Sequence, residues 1–242
     1  MASKRVLITG ADGLIGGILR DRLAGQFDFR LLTRSPIDER SHVADIADLQ
    51  AIRPAFRDVD AVVHLAASSS VESDWPDVLD ANLVGAYNVF EAARETGVGQ
   101  LVFASSNHVI GGYEVDGAPE IYEHDDGRVY DEHAELRPDS LYGVSKVFGE
   151  ALGRYYADRH GLRVICLRIG WMVEDDSAPD TPRGRTIWLS HADCAELFRC
   201  ALNSDVRWAV AYGTSDNPRQ IWDLTSAREL IGFRPRDRAP DS

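Results

Sequence analysis

The chain has 242 residues, 44% of them hydrophobic, which suffices for one sizeable α/β core and is not the composition of a disordered chain. A formal net charge of −13 repels nucleic acid and anionic membrane surfaces, and no apolar run approaches the roughly 18 residues of a membrane span. An anionic small ligand must therefore be met by local cations, so each arginine near a pocket is informative. The three cysteines, Cys166, Cys194 and Cys200, lie in apolar contexts. They read as reduced core thiols, and neither they nor the histidines show zinc spacing, so no metal is expected. The opening MASKRVLITG enters a strand without a signal-peptide pattern, and a cytoplasmic protein is expected.

In chain order, Arg5–Thr9 is a β-branched apolar strand that breaks into Gly10-Ala11-Asp12-Gly13-Leu14-Ile15-Gly16 and then an amphipathic helix. Gly10 permits a sharp turn, Gly13 a close approach of backbone to a pyrophosphate, and Gly16 close helix–strand packing, with the helix N-terminus facing the phosphates. Asp12, Leu14 and Ile15 share that turn. This placement predicts a dinucleotide site. The second strand, Phe29–Thr33, ends without the acid that would bind the ribose hydroxyls of NAD; Thr33, Arg34 and Ser35 stand there instead and suit the 2′-phosphate of NADP. Arg34 has two other uses, pointing to solvent or stacking on adenine. The sequence leans to NADP over NAD.

Val43–Ile46 is read as a short third strand ending on Asp45 and Ile46, where Asp45 either accepts from the adenine amino group or serves the helix that begins at Asp48. Asp60–Ala67 is a fourth strand running through Leu65 into Ala66 and Ala67, whose small side chains leave room for a cofactor. His64 within it reads as a packed core histidine. Ser68, Ser69 and Ser70 follow at the same edge. Trp75–Thr96 is read as one long helix with an apolar stripe of Val78, Leu79, Leu83, Val84, Tyr87 and Phe90. Asn82 interrupts that stripe and either bridges loops near the cofactor or contacts a ligand.

The fifth strand, Gln100–Ala104, delivers Ser105, Ser106, Asn107 and His108 to the sheet edge, a polar cluster that packing does not explain. Residues 111–140 form a long acidic segment read as a cover over the substrate side. In the helix that follows, Tyr142 and Lys146 are four residues apart and share a face. A phenol titrates near ~10, and an adjacent ammonium favours its anion, so the two can act as one proton-transfer unit. A sixth strand, Leu162–Leu167, leads through Ile169 to Trp171 and a loop carrying Arg183 and Arg185. Ser190, His191 and Asp193 crowd one helical turn and are given structural roles. Val206–Gly213 is the last strand, Thr225–Ile231 the last helix, and residues 234–242 a loose tail.

Taken together in this order, TGADGLIG, HLAA, ASSNH and YGVSK resemble the extended short-chain dehydrogenase/reductase superfamily over nearly the whole chain. FASSNHVIGGYE, LYGVSKVFGE, LRIG, IWLSHADC and YGTSDN are similar to uronate dehydrogenases and to archaeal glucose-6-phosphate dehydrogenases. The resemblance implies Tyr142 as base, Lys146 as its electrostatic partner and cofactor ligand, and Ser106 as the hydroxyl that orients the reacting oxygen. It further implies Asn107, His108 and one of Ser69 or Ser70 on sugar hydroxyls, and Arg183 on a sugar carboxylate, with Arg185 either a second clamp or a solvent-facing charge. Trp171 stands where uronate dehydrogenases carry a small polar residue and reshapes that pocket.

The expected fold is α/β, a doubly wound parallel (Rossmann) sheet in one domain over residues 1–242, with 111–140 and 171–242 forming substrate-side loops and a small C-terminal appendage. The expected function is oxidation of the C1 hydroxyl of a hexuronate or hexose 6-phosphate to the aldonolactone with NAD(P)+. The alternatives are a sugar-nucleotide epimerase or dehydratase with tightly held NAD, or a non-catalytic redox sensor. A small anionic sugar is the expected partner, and the resemblance implies pairing of long helices into a homo-oligomer.

Overall fold

The computed structural model describes residues 3–123 and 128–241. Seven strands, β1 (Arg5–Thr9), β2 (Asp28–Thr33), β3 (Ser41–Val43), β4 (Ala61–His64), β5 (Gln100–Ser106), β6 (Arg163–Ile169) and β7 (Trp208–Gly213), lie in the order β3-β2-β1-β4-β5-β6-β7. Every pairing is parallel. The strand order reverses beside β1, which opens a crevice between the carboxyl ends of β1 and β4. Helices α1 (Leu14–Arg22), α2 (Leu49–Ile52), α3 (Trp75–Asp77), α4 (Gly85–Thr96), α5 (Gly112–Gly117) and α6 (Glu120–Glu123) precede the long α7 (Leu141–His160). After it come α8 (Pro182–Ile187), α9 (His191–Asn203) and α10 (Thr225–Leu230).

Because both sheet faces are covered, the strands are continuous apolar runs whose alternate residues serve opposite cores. Val6 and Ile8 join Leu19 of α1 and Leu197 and Phe198 of α9 on one face. Leu7 and Val62 join Val89 and Phe90 of α4 and Tyr156 of α7 on the other. A third cluster, with Val109, Ile110, Ile121, Ile187 and Trp222, gathers segments that follow the strand ends. Residues 111–140, expected as a loop, fold in part into α5 and α6, and Ile121 of α6 joins this cluster; residues 124–127 of that segment lie outside the described residues.

Four expectations need correction. The third strand is Ser41–Val43, and Ile46 turns inward instead, its side chain within 2.5 Å of where a Cβ on Gly85 would stand. The helix from Trp75 to Thr96 contains a π-helical stretch, Val78–Val84, whose wider turn shifts the buried face. Val84 and Tyr87 are exposed as a result, while Asn82, Ala86 and Val89 are buried. Arg183 and Arg185 sit on α8, not in a loop. The tail is pinned: the Asp193 carboxylate accepts from the amides of Arg236 (2.8 Å) and Asp237 (3.0 Å), and Ala239 is buried. Ser190 caps α9 by accepting from the Asp193 amide and donates to Asp237, so these residues are structural, as read.

Candidate active site

The carboxyl ends of β1, β2, β4, β5 and β6 open into one cleft of about 1110 Å³. At one end, Gly10 adopts φ +67, and a Cβ there would stand 2.7 Å from the Ala66 nitrogen, so no other residue fits. The turn runs through Asp12 and Gly13 into Leu14, Ile15 and Gly16, all lining the cleft. No side chain caps the N-terminus of α1, so its first amides are left for an anion, and a dinucleotide pyrophosphate fits there. Leu65, Ala66, Ala67 and Ile169 form small or apolar walls further in.

At the end of β2, Thr33 and Arg34 line the cleft but Ser35 does not. The Thr33 hydroxyl donates to the Ser35 carbonyl at 2.6 Å, which leaves the Arg34 guanidinium as the group available to a phosphate. Asp45 and Ile46 also line the cleft; one Asp45 oxygen accepts from the Ala47 amide at 2.9 Å. Asp48, not Asp45, caps α2. Asn82 is the bridge rather than a lining residue. It bonds both the amide (2.7 Å) and carbonyl (2.9 Å) of Ser68 and donates to the Ser145 hydroxyl at 2.9 Å, tying the β4 loop to α7. His64 is buried against the Thr9 hydroxyl at 2.7 Å; burial, aided by the positive Lys146, holds it down to about 3.

Strand alternation divides the two serines of β5. Ser105 donates to Glu150 at 2.6 Å, in a buried network with Arg168 and Tyr212, whereas Ser106 lines the cleft with Tyr142, its hydroxyl accepting from the His108 amide at 3.2 Å. The long helix α7 comes this close because a Cβ on Gly149 would stand 2.1 Å from the Phe103 ring. Lys146 is buried, donates to the Ala104 carbonyl at 2.8 Å, and holds its Nζ 5.3 Å from the Tyr142 ring centroid. The expected lowering of the phenol by this ammonium is not what the site shows. Burial raises Tyr142, with only the nearby Ser106 hydroxyl opposing the rise and Asp139 adding to it, and burial lowers Lys146 to about 8. Loss of water penalises both charged forms.

Ser69, Ser70, Asn107, His108, Trp171 and Arg183 line the other end. Ser70 accepts from the Glu72 amide at 3.1 Å, and the Ser69 hydroxyl has no hydrogen-bond partner among the described residues, which separates the two. His108 faces Asp139 at 2.6 Å. Arg185 is a correction: it pairs with Asp180 at 2.6 Å in a separate surface hollow, so the two arginines form no clamp. Arg183 instead pairs with Glu114 at 2.7 Å, its guanidinium 5.4 Å from the Trp171 ring centroid. Glu114 is the residue that the sequence hid, because it is one of many acids in its segment; no periodicity marks it as buried. Met172, Asp77 and Asp80 also line the cleft without a sequence signal.

With this geometry in hand, comparison with known proteins matches residues 6–173 to the NAD dependent epimerase/dehydratase family. The chain is 39% identical to an NAD-dependent glucose-6-phosphate dehydrogenase of Haloferax volcanii, over 98% of this chain and 94% of the relative. It is 40% identical to an L-arabinose 1-dehydrogenase (NAD(P)(+)) of the same organism, over 97% of each. The crystal structure of uronate dehydrogenase from Agrobacterium tumefaciens superposes with a TM-score of 0.85 at 36% identity, over 99% of this chain and 86% of that one. The chain belongs to the NAD dependent epimerase/dehydratase family, enzymes of the extended short-chain dehydrogenase/reductase type.

Proposed function

We propose that the protein oxidises the C1 hydroxyl of a cyclic sugar to the aldonolactone with NAD(P)+. The observation that carries this reading is that Ser106, Tyr142 and Lys146 line one cleft whose other end is an uncapped helix N-terminus. The three relatives above are all named for dehydrogenating sugars, one of them at position 1. Hexuronates, hexose 6-phosphates and uncharged aldoses all present such a hydroxyl.

In this reading Tyr142 takes the proton of the C1 hydroxyl and Ser106 donates to the same oxygen, fixing the sugar for reaction. When bound, NAD(P)+ supplies the acceptor for the hydride that C1 loses. Lys146, with its carbonyl partner on β5, places a positive charge beside the phenol as it ionises. Asn107, His108 and Ser69 hold sugar hydroxyls. Arg34, with no carboxylate lining the cleft beside it at the end of β2, supports use of NADP as well as NAD. Exposed Tyr87, Val144 and Tyr155 on α4 and α7 support pairing of two copies.

The test is absorbance at 340 nm with both cofactors across a panel of aldoses, uronates and sugar phosphates. Tyr142→Phe is expected to lower kcat about 10³-fold while NADH affinity stays within about twofold. Silence of the wild type with every sugar, together with a dinucleotide that copurifies, would sink oxidation and point to an epimerase.

A further inference from the structure

Glu114 lies in α5, within the acidic segment over the substrate side, yet it is only 5% exposed. One carboxylate oxygen accepts from Asn107 Nδ2 at 2.8 Å. The other accepts from Arg183 Nε at 2.7 Å and from the Tyr122 hydroxyl at 2.5 Å. A single buried acid therefore fixes two residues that line the sugar end of the cleft. Burial alone would lower Arg183, but the Glu114 charge outweighs it and keeps the guanidinium cationic. The positive charge expected to meet a sugar carboxylate is thus matched from behind before any ligand arrives.

We propose that Glu114 sets the charge class of the substrate. Its pair with Arg183 presents N–H donors but no net charge, so the site takes an uncharged aldose in preference to a uronate or a sugar phosphate. This inference rests on the C1-oxidation reading above. Hydroxyl groups of a neutral sugar can accept from the remaining guanidinium N–H groups without altering the charge balance. A carboxylate would share one guanidinium with Glu114, and a partly buried site would hold a negative charge without a partner. Other groups lining the cleft do not supply that partner. Arg185 is spent on Asp180 outside it, His108 already faces Asp139, and Asp77 and Asp80 add negative charge. Among the described residues lining the cleft, the remaining cations are Arg34 at the end of β2 and Lys146 on the Ala104 carbonyl.

As Glu114 acts through Asn107 and Arg183, it is a positioning residue, and its test reads a ratio that folding defects do not move. kcat/KM is measured for glucose, galactose and arabinose against glucuronate, galacturonate and glucose 6-phosphate, each with NAD and NADP. Isothermal titration of glucose and glucuronate into the NADH-loaded enzyme gives affinity without turnover. The best neutral sugar is expected to exceed the best anionic one at least about tenfold. Glu114→Gln is expected to lower that ratio at least about tenfold, mainly through a smaller KM and tighter titration for the uronate. A wild-type ratio of one or less, or a Glu114→Gln enzyme that melts cooperatively with an unchanged ratio, overturns the proposal. If the variant does not fold, the wild-type ratio and titration decide alone. Oxidation of sugars with the opposite charge preference sinks this inference and leaves C1 oxidation standing, whereas no oxidation of any sugar removes both.

Discussion

At the scale of single residues, the end of β2 shows how a hydroxyl can be present in sequence and spent in structure. Thr33 is buried and its hydroxyl is given to the Ser35 carbonyl, and Ser35 lies outside the cleft. If NADP is used, as proposed above, recognition of its 2′-phosphate falls to Arg34. Loss of one charge-assisted contact is worth roughly 1.5–3 kcal/mol, so Arg34→Ala is expected to raise KM for NADP about tenfold or more. KM for NAD should move by less than about threefold. Equal effects on both cofactors would show that Arg34 stacks on the adenine or faces solvent and selects nothing. Arg185 makes the same point from the other side, since an arginine two positions from a lining residue on a short helix is turned to a different surface.

At the scale of elements, the site depends on how tightly α7 lies on β5 and β6. Glycine at 149 admits the Phe103 ring, and at the next position the Glu150 carboxylate receives Ser105 and both Nε (2.9 Å) and Nη2 (2.8 Å) of Arg168. Arg168 is 2% exposed, and its other nitrogen donates to Tyr212 on β7. The network thus spans α7 and three strands. Glu150→Ala would leave a guanidinium buried without its anion, at a cost of about 3–5 kcal/mol. Urea unfolding is the measurement; a loss below about 1 kcal/mol would mean that Arg168 finds water or another acceptor. Since α7 also carries Tyr142 and Lys146, the surviving folded fraction is expected to show a lower kcat.

At the scale of the molecule, a histidine buried in β4 ties stability to pH. His64 is held neutral, down to about 3, by burial and by Lys146, against an ordinary value of 6.5. Between those two values the unfolded chain binds a proton that the folded chain refuses, so stability falls as pH drops from about 6.5 towards 3. The slope from this one group is up to about 1.4 kcal/mol per pH unit. Replacing His64 with Asn is expected to flatten the loss of urea midpoint between pH 6.5 and 4.5, where carboxylates contribute little. An acid limb of unchanged slope in the variant would assign the effect to other groups.

What the sequence determined by itself was whatever depends on local order along the chain. The glycine turn between a strand and a helix, the small residues ending β4, and Tyr142 and Lys146 one helical turn apart are neighbours in sequence, and local geometry alone places them. The parallel sheet followed from apolar runs alternating with helices. Tertiary structure decided what depends on partners distant in the chain. Glu114 meets Arg183 across 69 positions, and Lys146 gives its hydrogen bond to a strand carbonyl 42 positions earlier. The tail is fixed by Asp193, more than forty positions earlier. Sequence assigns a charge to each of these side chains, but only the packed chain says which charge is already matched and which is left to meet a ligand.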